Sequence, residues 1–230
     1  MRISLFGAAI CIALLSPAVP VQAHHPGTDL DEVMGNREDF FQAIDQPAPG
    51  FELADAQGRP VGLSGFEGKI VILNFIYAGC LDVCPLHSEL ISEVQRLLNE
   101  SPMKTMVQFV SITTDPGNDT PEVMRGYGEA HGLDPVNWVF LTKPSDQPEN
   151  ATRTLARAYG LEFTETEDGQ QMHGVVTHVI DRDGRLAAKF HGLRFKPVNL
   201  ILYVNGLINN AGASGPPREK SWWDWMAGWF

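Results

Sequence analysis

Cysteine is scarce in this sequence, which has three cysteines among 230 residues. Cys11 lies in an apolar N-terminal segment that we expect to be removed, so the mature chain would keep Cys80 and Cys84 alone. Two cysteines are too few for the disulfide framework that stabilises many small secreted domains. Because exported thiols are exposed to oxidants, we interpret the pair as either an active dithiol/disulfide or a metal site.

The N-terminal apolar run, residues 3–15, is shorter than the roughly 18 residues of a membrane span, and two prolines soon follow it. Arg2 before the run and Val21-Gln22-Ala23 after it are typical of a secretory signal peptide. We therefore expect residues 1–23 to be cleaved after Ala23 and the mature protein to be periplasmic. An uncleaved N-terminal membrane anchor is the alternative.

Basic residues are also few, 17 against 28 acidic ones, and the formal net charge is −11. Loss of the signal peptide would remove Arg2 and no acid, which makes the mature chain slightly more acidic. An acidic surface argues against nucleic acid as a partner and fits an exported protein that is steered toward cationic surfaces. The 43% hydrophobic content is ample for one globular domain.

The chain alternates between strand and helix patterns. A hairpin pattern over residues 51–63, with a turn at Asp55 to Gly58, precedes the first buried strand. This order predicts an α/β thioredoxin-like sandwich with an added N-terminal β-hairpin. The strand patterns are Ile70–Tyr77, Met106–Ile112, Trp138–Leu141, Val175–Asp181 and Arg185–Phe190, and the helix patterns are Leu86–Leu98, Thr120–His131, Asn150–Tyr159 and Lys196–Asn210.

Segments of different composition flank this domain, which we place at residues 49–211. Residues 24–48 are acidic and are expected to be an N-terminal extension with a short helix around Asp39 to Ile44. Residues 212–230 form a flexible tail that holds four of the five tryptophans. Indole rings suit the lipid headgroup region, so the tail is a candidate for peripheral membrane contact. Its alternative is to fold back over an apolar patch of the domain.

Cys80 and Cys84 lie between the first buried strand and an amphipathic helix. The free N–H groups and positive dipole end of a helix start favour thiolate over thiol. A spacing of four residues on a helical turn puts both sulfurs on one face, where they can share a metal ion or form a disulfide. Thiolates favour Cu(I), zinc or iron–sulfur clusters, and two sulfurs leave a position for one of the seven histidines.

At these residues the sequence resembles the Sco/SenC copper-binding proteins of cytochrome oxidase assembly, over about residues 49 to 211. The resemblance implies one copper ion, Cu(I) or Cu(II), held by Cys80, Cys84 and His173, with Asp82 and Asp115 as neighbouring acids. Leu81 replaces the usual Pro, and Gly174 replaces the usual Ser or Thr. The matching pieces are Phe51-Glu52-Leu53 with Gly68-Lys69, Cys80-x-Asp82-Val83-Cys84-Pro85, Asp115-Pro116 before Asp119-Thr120, and a histidine eleven residues ahead of Gly184.

The period of two along a strand separates the two histidines nearest to the last strands. His173 precedes its strand in a loop that can reach the helix start, whereas His178 sits inside the strand and faces the other side. His87 is interpreted as a solvated residue of the helix surface. Structural or solvated positions are also expected for His24, His25, His131 and His191.

Together with the expected signal peptide, the resemblance implies a periplasmic copper chaperone that assists assembly of the binuclear copper site of cytochrome c oxidase. Its expected partners are the copper-site subunit of a membrane-bound oxidase and a periplasmic thiol reductant or copper donor. The alternative is a thiol–disulfide oxidoreductase in which Cys80 attacks and Cys84 resolves, with no metal. Whether the protein is an enzyme is therefore left open. A thiol peroxidase is less favoured, and so is a purely structural disulfide, because it would close a very short loop.

Overall fold

The computed structural model describes residues 30–165 and 171–210, with the backbone only for 164, 165, 171–173 and 210. The expected signal peptide, the first residues of the expected extension and the Trp-rich tail lie outside the described residues. In the described ranges, no helix combines the length and apolar character that are needed to cross a membrane.

An eight-stranded mixed sheet has the order β1-β10-β9-β4-β5-β6-β2-β3, and β7 and β8 form a separate two-stranded hairpin. Strands β4, β5 and β6 are parallel to one another, and the remaining pairs are antiparallel. The strands are β1 Phe41–Pro47, β2 Glu52–Asp55, β3 Pro60–Gly62, β4 Ile70–Ile76, β5 Val107–Thr113, β6 Trp138–Thr142, β7 Phe163–Glu165, β8 Gln171–His173, β9 Val176–Ile180 and β10 Arg185–His191.

The helices cover both faces of this sheet and make two hydrophobic cores. Buried side chains of α1, α2, α3 and α5 pack on one face, and those of α4 pack on the other. The α-helices are α1 Leu30–Gly35, α2 Val83–Asn99, α3 Pro121–Ala130, α4 Ala151–Ala158 and α5 Pro197–Asn210, and short 3-10 helices cover Leu63–Phe66 and Pro102–Met106. The predicted α/β thioredoxin-like fold is confirmed.

The two central strands explain where the cysteines lie. Every residue of β4 and β5 is buried, which fits their uninterrupted apolar runs, since a parallel strand is covered on both faces. Parallel strands need a crossover, and α2 supplies it between β4 and β5. Cys80 and Cys84 therefore lie at the carboxyl end of β4, where the chain turns into α2.

The prediction of a short helix around Asp39 to Ile44 is wrong. Most of this segment belongs to strand β1, which pairs with β10 at the sheet edge and packs Phe41 edge-on against Phe190 with ring centroids 5.4 Å apart. Before it, α1 buries Met34, and the Glu38 carboxylate accepts hydrogen bonds from Lys196 N–H and the Asn199 amide. Residues 30–47 thus pack against the domain and complete the edge of its sheet.

The β7–β8 hairpin was expected to be loop. Phe163 pairs with His173 and Glu165 with Gln171, so His173 ends a short strand and does not sit in an irregular loop. Two residues, Gly174 and Val175, then lead into β9. The hairpin therefore leads directly into β9, an interior strand of the sheet.

Candidate metal centre

The turn that carries the cysteines is held by local backbone bonds. The N–H of Cys80 donates to the carbonyl of Tyr77 at 3.2 Å, which closes a tight turn after β4. Helix α2 begins at Val83 with Asp82 as its N-cap residue, so Cys84 lies in the first helical turn. The expected strand, turn and helix arrangement is therefore present around the pair.

Both thiols are free and almost completely buried, with 6% of Cys80 and 2% of Cys84 exposed. The N–H of Cys84 donates to Cys80 Sγ at 3.4 Å, so a helix-start amide points at the first sulfur. Two adjacent sulfurs at a helix start can close a disulfide or ligate one soft metal ion. The described donor set therefore fits copper at these two positions.

The two thiols are electrostatically unequal. Burial raises the pKa of Cys80, but hydrogen bonds from Cys84, from the N–H of Asp82 and from Tyr77 outweigh it and bring that pKa below its ordinary value. Burial, and then the hydrogen bond to Cys80, raise the pKa of Cys84 far above its ordinary value. Cys80 is thus the more acidic thiol of the pair, and a hydrogen bond from the Cys84 thiol favours its ionised form.

Asp119 is a buried acid beside this turn that the sequence analysis did not single out. Only 2% of it is exposed, and its carboxylate accepts the N–H of Ala78 at 3.1 and 3.2 Å and the hydroxyl of Thr113. Burial raises the pKa of Asp119 above its ordinary value. Asp119-Thr120 is one of the pieces of sequence that match the family, which could have pointed to Asp119. The fold is needed to show that its carboxylate reaches the turn before Cys80.

The two acids that were expected to neighbour the metal differ in position. Asp82 is exposed, and its backbone N–H, rather than its carboxylate, bonds to Cys80. Asp115 is half-buried in the turn after β5, where its carboxylate accepts the amide of Asn118 at 2.9 Å. Their roles near a metal stay predictions.

His178 is enclosed in the core opposite the cysteines. Its two ring nitrogens lie 3.3 Å from the carbonyl oxygens of Leu73 and Tyr159, and its ring packs edge-on against Phe75 and Tyr159. Burial, and then the positive charge of Lys189, lower the pKa of His178 to about 3. The cysteines belong to the other core, so the sheet separates His178 from them.

The prediction for His87 is wrong. It is not a solvated helix residue, since only 2% of it is exposed and its Nε2 lies 2.8 Å from Thr177 Oγ1 in β9. His131 instead stacks on Tyr127 with ring centroids 4.3 Å apart, and His191 bonds to Gln42 at 2.8 Å.

His173 lies at the end of β8, and its ring is outside the described side chains. Among the side chains that are described, no three of the types His, Cys, Asp and Glu come together closely enough to hold a metal ion. The complete three-ligand set therefore stays a prediction.

A thioredoxin-like sheet with a Cys-x-x-x-Cys pair at the end of its central strand defines a dithiol protein of the thioredoxin class. Residues 42–206 match the sequence model of the SCO1/SenC family, and the chain belongs to that family. Its relatives include the SCO1 protein homolog of Bacillus subtilis, which is 25% identical over 154 residues, 66% of this chain and 77% of that protein.

Two solved structures show the same fold. The copper-bound ScoI of Bradyrhizobium japonicum is 27% identical with a TM-score of 0.57, covering 70% of this chain and 99% of that one. BsSco, described as a Sco-family cytochrome c oxidase assembly protein with a disulfide switch, has a TM-score of 0.64 at 20% identity, covering 73% of this chain and 96% of that one.

Proposed function

We propose that this protein is a periplasmic copper chaperone that holds one copper ion through Cys80, Cys84 and His173 and delivers it to the copper-site subunit of a cytochrome c oxidase. The carrying observation is the buried pair of free thiols at the start of α2, with the Cys84 N–H aimed at Cys80 Sγ. The copper bound to the Bradyrhizobium relative supports the choice of metal.

The chemistry of the pair explains why copper would be held and yet released. Two thiolates prefer Cu(I), and a nitrogen from His173 would add a third ligand at the same end of the fold. A site with few protein ligands, at the turn between β4 and α2, can pass its metal to a partner that offers more of them. The metal is then cargo, and the protein supplies the sulfur ligands and their protonation state.

Anaerobic copper titration of the reduced mature protein tests this proposal. We expect one Cu(I) per chain, with X-ray absorption that shows two sulfur ligands and one nitrogen ligand. No bound copper after reconstitution, or oxygen ligands only, would contradict the chaperone function. The Cys80→Ser/Cys84→Ser variant is the matched control and should retain no copper at this site.

The unequal pKa values of the two thiols favour a second candidate, a thiol–disulfide oxidoreductase. The Cys80 thiolate would attack a partner disulfide, release one partner thiolate and form a mixed disulfide. Cys84 would then lose its proton and attack Cys80, which releases the second partner thiolate in reduced form and leaves Cys80 and Cys84 oxidised. A periplasmic thiol reductant would have to restore the pair.

A further inference from the structure

The most unexpected polar contact in the fold lies beneath the cysteine helix. His87 follows Cys84 by three residues and shares its buried helix face, and its Nε2 lies 2.8 Å from the hydroxyl of Thr177, which is fully buried. An apolar residue would fill a buried helix position without any hydrogen-bonding demand. The histidine therefore indicates that this position needs a directed contact.

The contact lies where the pairing between β4 and β9 ends. Paired residues of β4 and β9 run from Val71 with Ile180 to Leu73 with His178. Thr177 is the next residue of β9 beyond the last pair. The hydrogen bond between His87 and Thr177 thus ties α2 to β9 at the place where the pairing with β4 ends.

The two segments that this bond joins lead to different predicted ligands. Helix α2 carries Cys84 in its first turn, and β9 begins three residues after His173. A hydrogen bond fixes direction and distance, whereas apolar contacts allow a helix to slide along a sheet. The bond can therefore set the distance between the sulfur ligands and the histidine ligand.

A separate row of buried hydrogen bonds lies on the same face of the sheet. The Trp138 indole N–H donates to Ser111 Oγ at 3.0 Å, and Ser111 Oγ donates to Asn74 Oδ1 at 2.8 Å. Asn74 lies on β4 one residue beyond Leu73, so it is the β4 neighbour of Thr177. These hydrogen bonds hold the Asn74 side chain on β4 beside the end of the pairing with β9.

We propose that His87 is a positioning residue for the metal site, which acts through its hydrogen bond to Thr177. The bond holds the first turn of α2 in register with β9 and thereby holds Cys80 and Cys84 at a fixed distance from His173. This inference rests on the proposed copper function for its role, but the coupling itself is a property of the metal-free fold.

Thr177→Val removes the hydroxyl and keeps the shape of the side chain. We expect copper affinity to fall about 10- to 100-fold, the usual range for residues that orient metal ligands. The nitrogen contribution in copper spectroscopy should decrease while the two sulfur ligands remain. Thr177→Ser, which restores a hydroxyl, should recover both properties.

Ser88→Ala is the matched control, because it removes another buried hydrogen bond of the same helix turn, that of Ser88 Oγ with Tyr127 at 2.8 Å, without a link to β9. It should leave the nitrogen ligation unchanged. His87→Leu removes the proposed bond from the helix side, and the His87→Leu/Thr177→Val double variant should lose no more affinity than either single variant.

Hydrogen exchange of the metal-free, reduced protein measures the coupling without copper. We expect amides 174–176 to exchange faster in Thr177→Val and His87→Leu, with β5 unchanged. If amides 174–176 exchange and the nitrogen ligates in both variants as in the wild type, the inference is overturned. Fully additive losses of copper affinity in the double variant would also overturn it, and so would an equal effect of Ser88→Ala. If the wild-type protein binds no copper, the proposed function fails, and the exchange result alone decides the coupling.

Discussion

The carboxylate of Asp119 accepts the backbone N–H of Ala78 through both of its oxygens, at 3.1 and 3.2 Å. Ala78 lies two residues before Cys80, so a side chain 41 residues away anchors the turn that presents the thiols. Thr113, at the end of β5, donates its hydroxyl to the same carboxylate. The turn after β4 is thus tied to the turn after β5, its parallel neighbour.

Asp119→Ala should destabilise the protein by about 1–3 kcal/mol for each buried donor that loses its acceptor. The donors are Ala78 N–H and the Thr113 hydroxyl. Urea unfolding of the reduced protein measures the loss. Asp119→Asn keeps one acceptor oxygen and should lose less.

Asp115→Ala is the control for this prediction, because Asp115 is half-buried and its carboxylate bonds to the exposed Asn118. It should change the free energy of unfolding less than Asp119→Ala does. Equal losses in the two variants would show that Asp119 has no special structural role.

The lowered pKa of the buried His178 leads us to expect a loss of stability in mild acid. Its pKa is about 3 in the folded protein against an ordinary 6.5, so the unfolded chain takes up the proton first as the pH falls. The contribution of His178 to the free energy of unfolding is therefore fully present above about pH 6.5. It decreases as the pH falls toward 3, by at most about 1.4 kcal/mol per pH unit.

Unfolding free energies at several pH values between about 6.5 and 5 check this, above the range in which most carboxyls titrate. His178→Gln should show a flatter pH dependence than the wild type. His191→Gln is the control, because His191 is less buried and faces Gln42, and it should keep most of the wild-type slope. A wild-type slope in His178→Gln would refute the assignment.

The two cysteines should differ in reactivity. The pKa of Cys80 is lowered and that of Cys84 is raised, so Cys80 has the larger thiolate fraction near neutral pH. Brief alkylation with iodoacetamide, followed by peptide mass spectrometry, should show the label on Cys80 first. The urea-unfolded chain is the control, where both thiols should react at similar rates. Faster labelling of Cys84 in the folded protein would contradict the assigned roles.

His173→Ala should lower copper affinity by at least about 10-fold, since even residues that only orient ligands cost that much. Disulfide exchange by Cys80 and Cys84 should be unchanged, because that chemistry needs no histidine ligand. Competition with a Cu(I) chelator measures the copper affinity, and thiol exchange with a model disulfide measures the disulfide chemistry. His191→Ala is the matched histidine control, and an unchanged affinity in His173→Ala would move the nitrogen ligand elsewhere.

The tail lies outside the described residues, and its tryptophan-rich composition leads us to expect membrane contact. The residues are Trp222, Trp223, Trp225 and Trp229. Full-length protein should co-sediment with lipid vesicles more than a chain that ends at Ala211. Equal partitioning would remove this role, and a lower melting temperature of the shortened chain would instead indicate a tail that packs on the domain.

Local patterns in the sequence were sufficient for the central strands, for helices α2 to α5 and for the cysteine pair. The apolar run before Cys80 and the helical spacing after Cys84 depend on near neighbours, whose periodicity is visible without tertiary structure. The same period of two predicted that His178 faces away from the helix start, and the structure encloses it in the opposite core.

The tertiary structure alone decided the features that depend on distant residues. Strand β1 forms because Phe41 pairs with Phe190, far away in the sequence, which a weak local pattern does not reveal. His87 is polar, so its residue type suggested the surface, whereas in the fold its buried ring has a hydrogen-bond partner in the hydroxyl of Thr177, 90 residues away. Asp119 likewise acquires its role because parallel strands β4 and β5 bring two remote turns to one edge of the sheet.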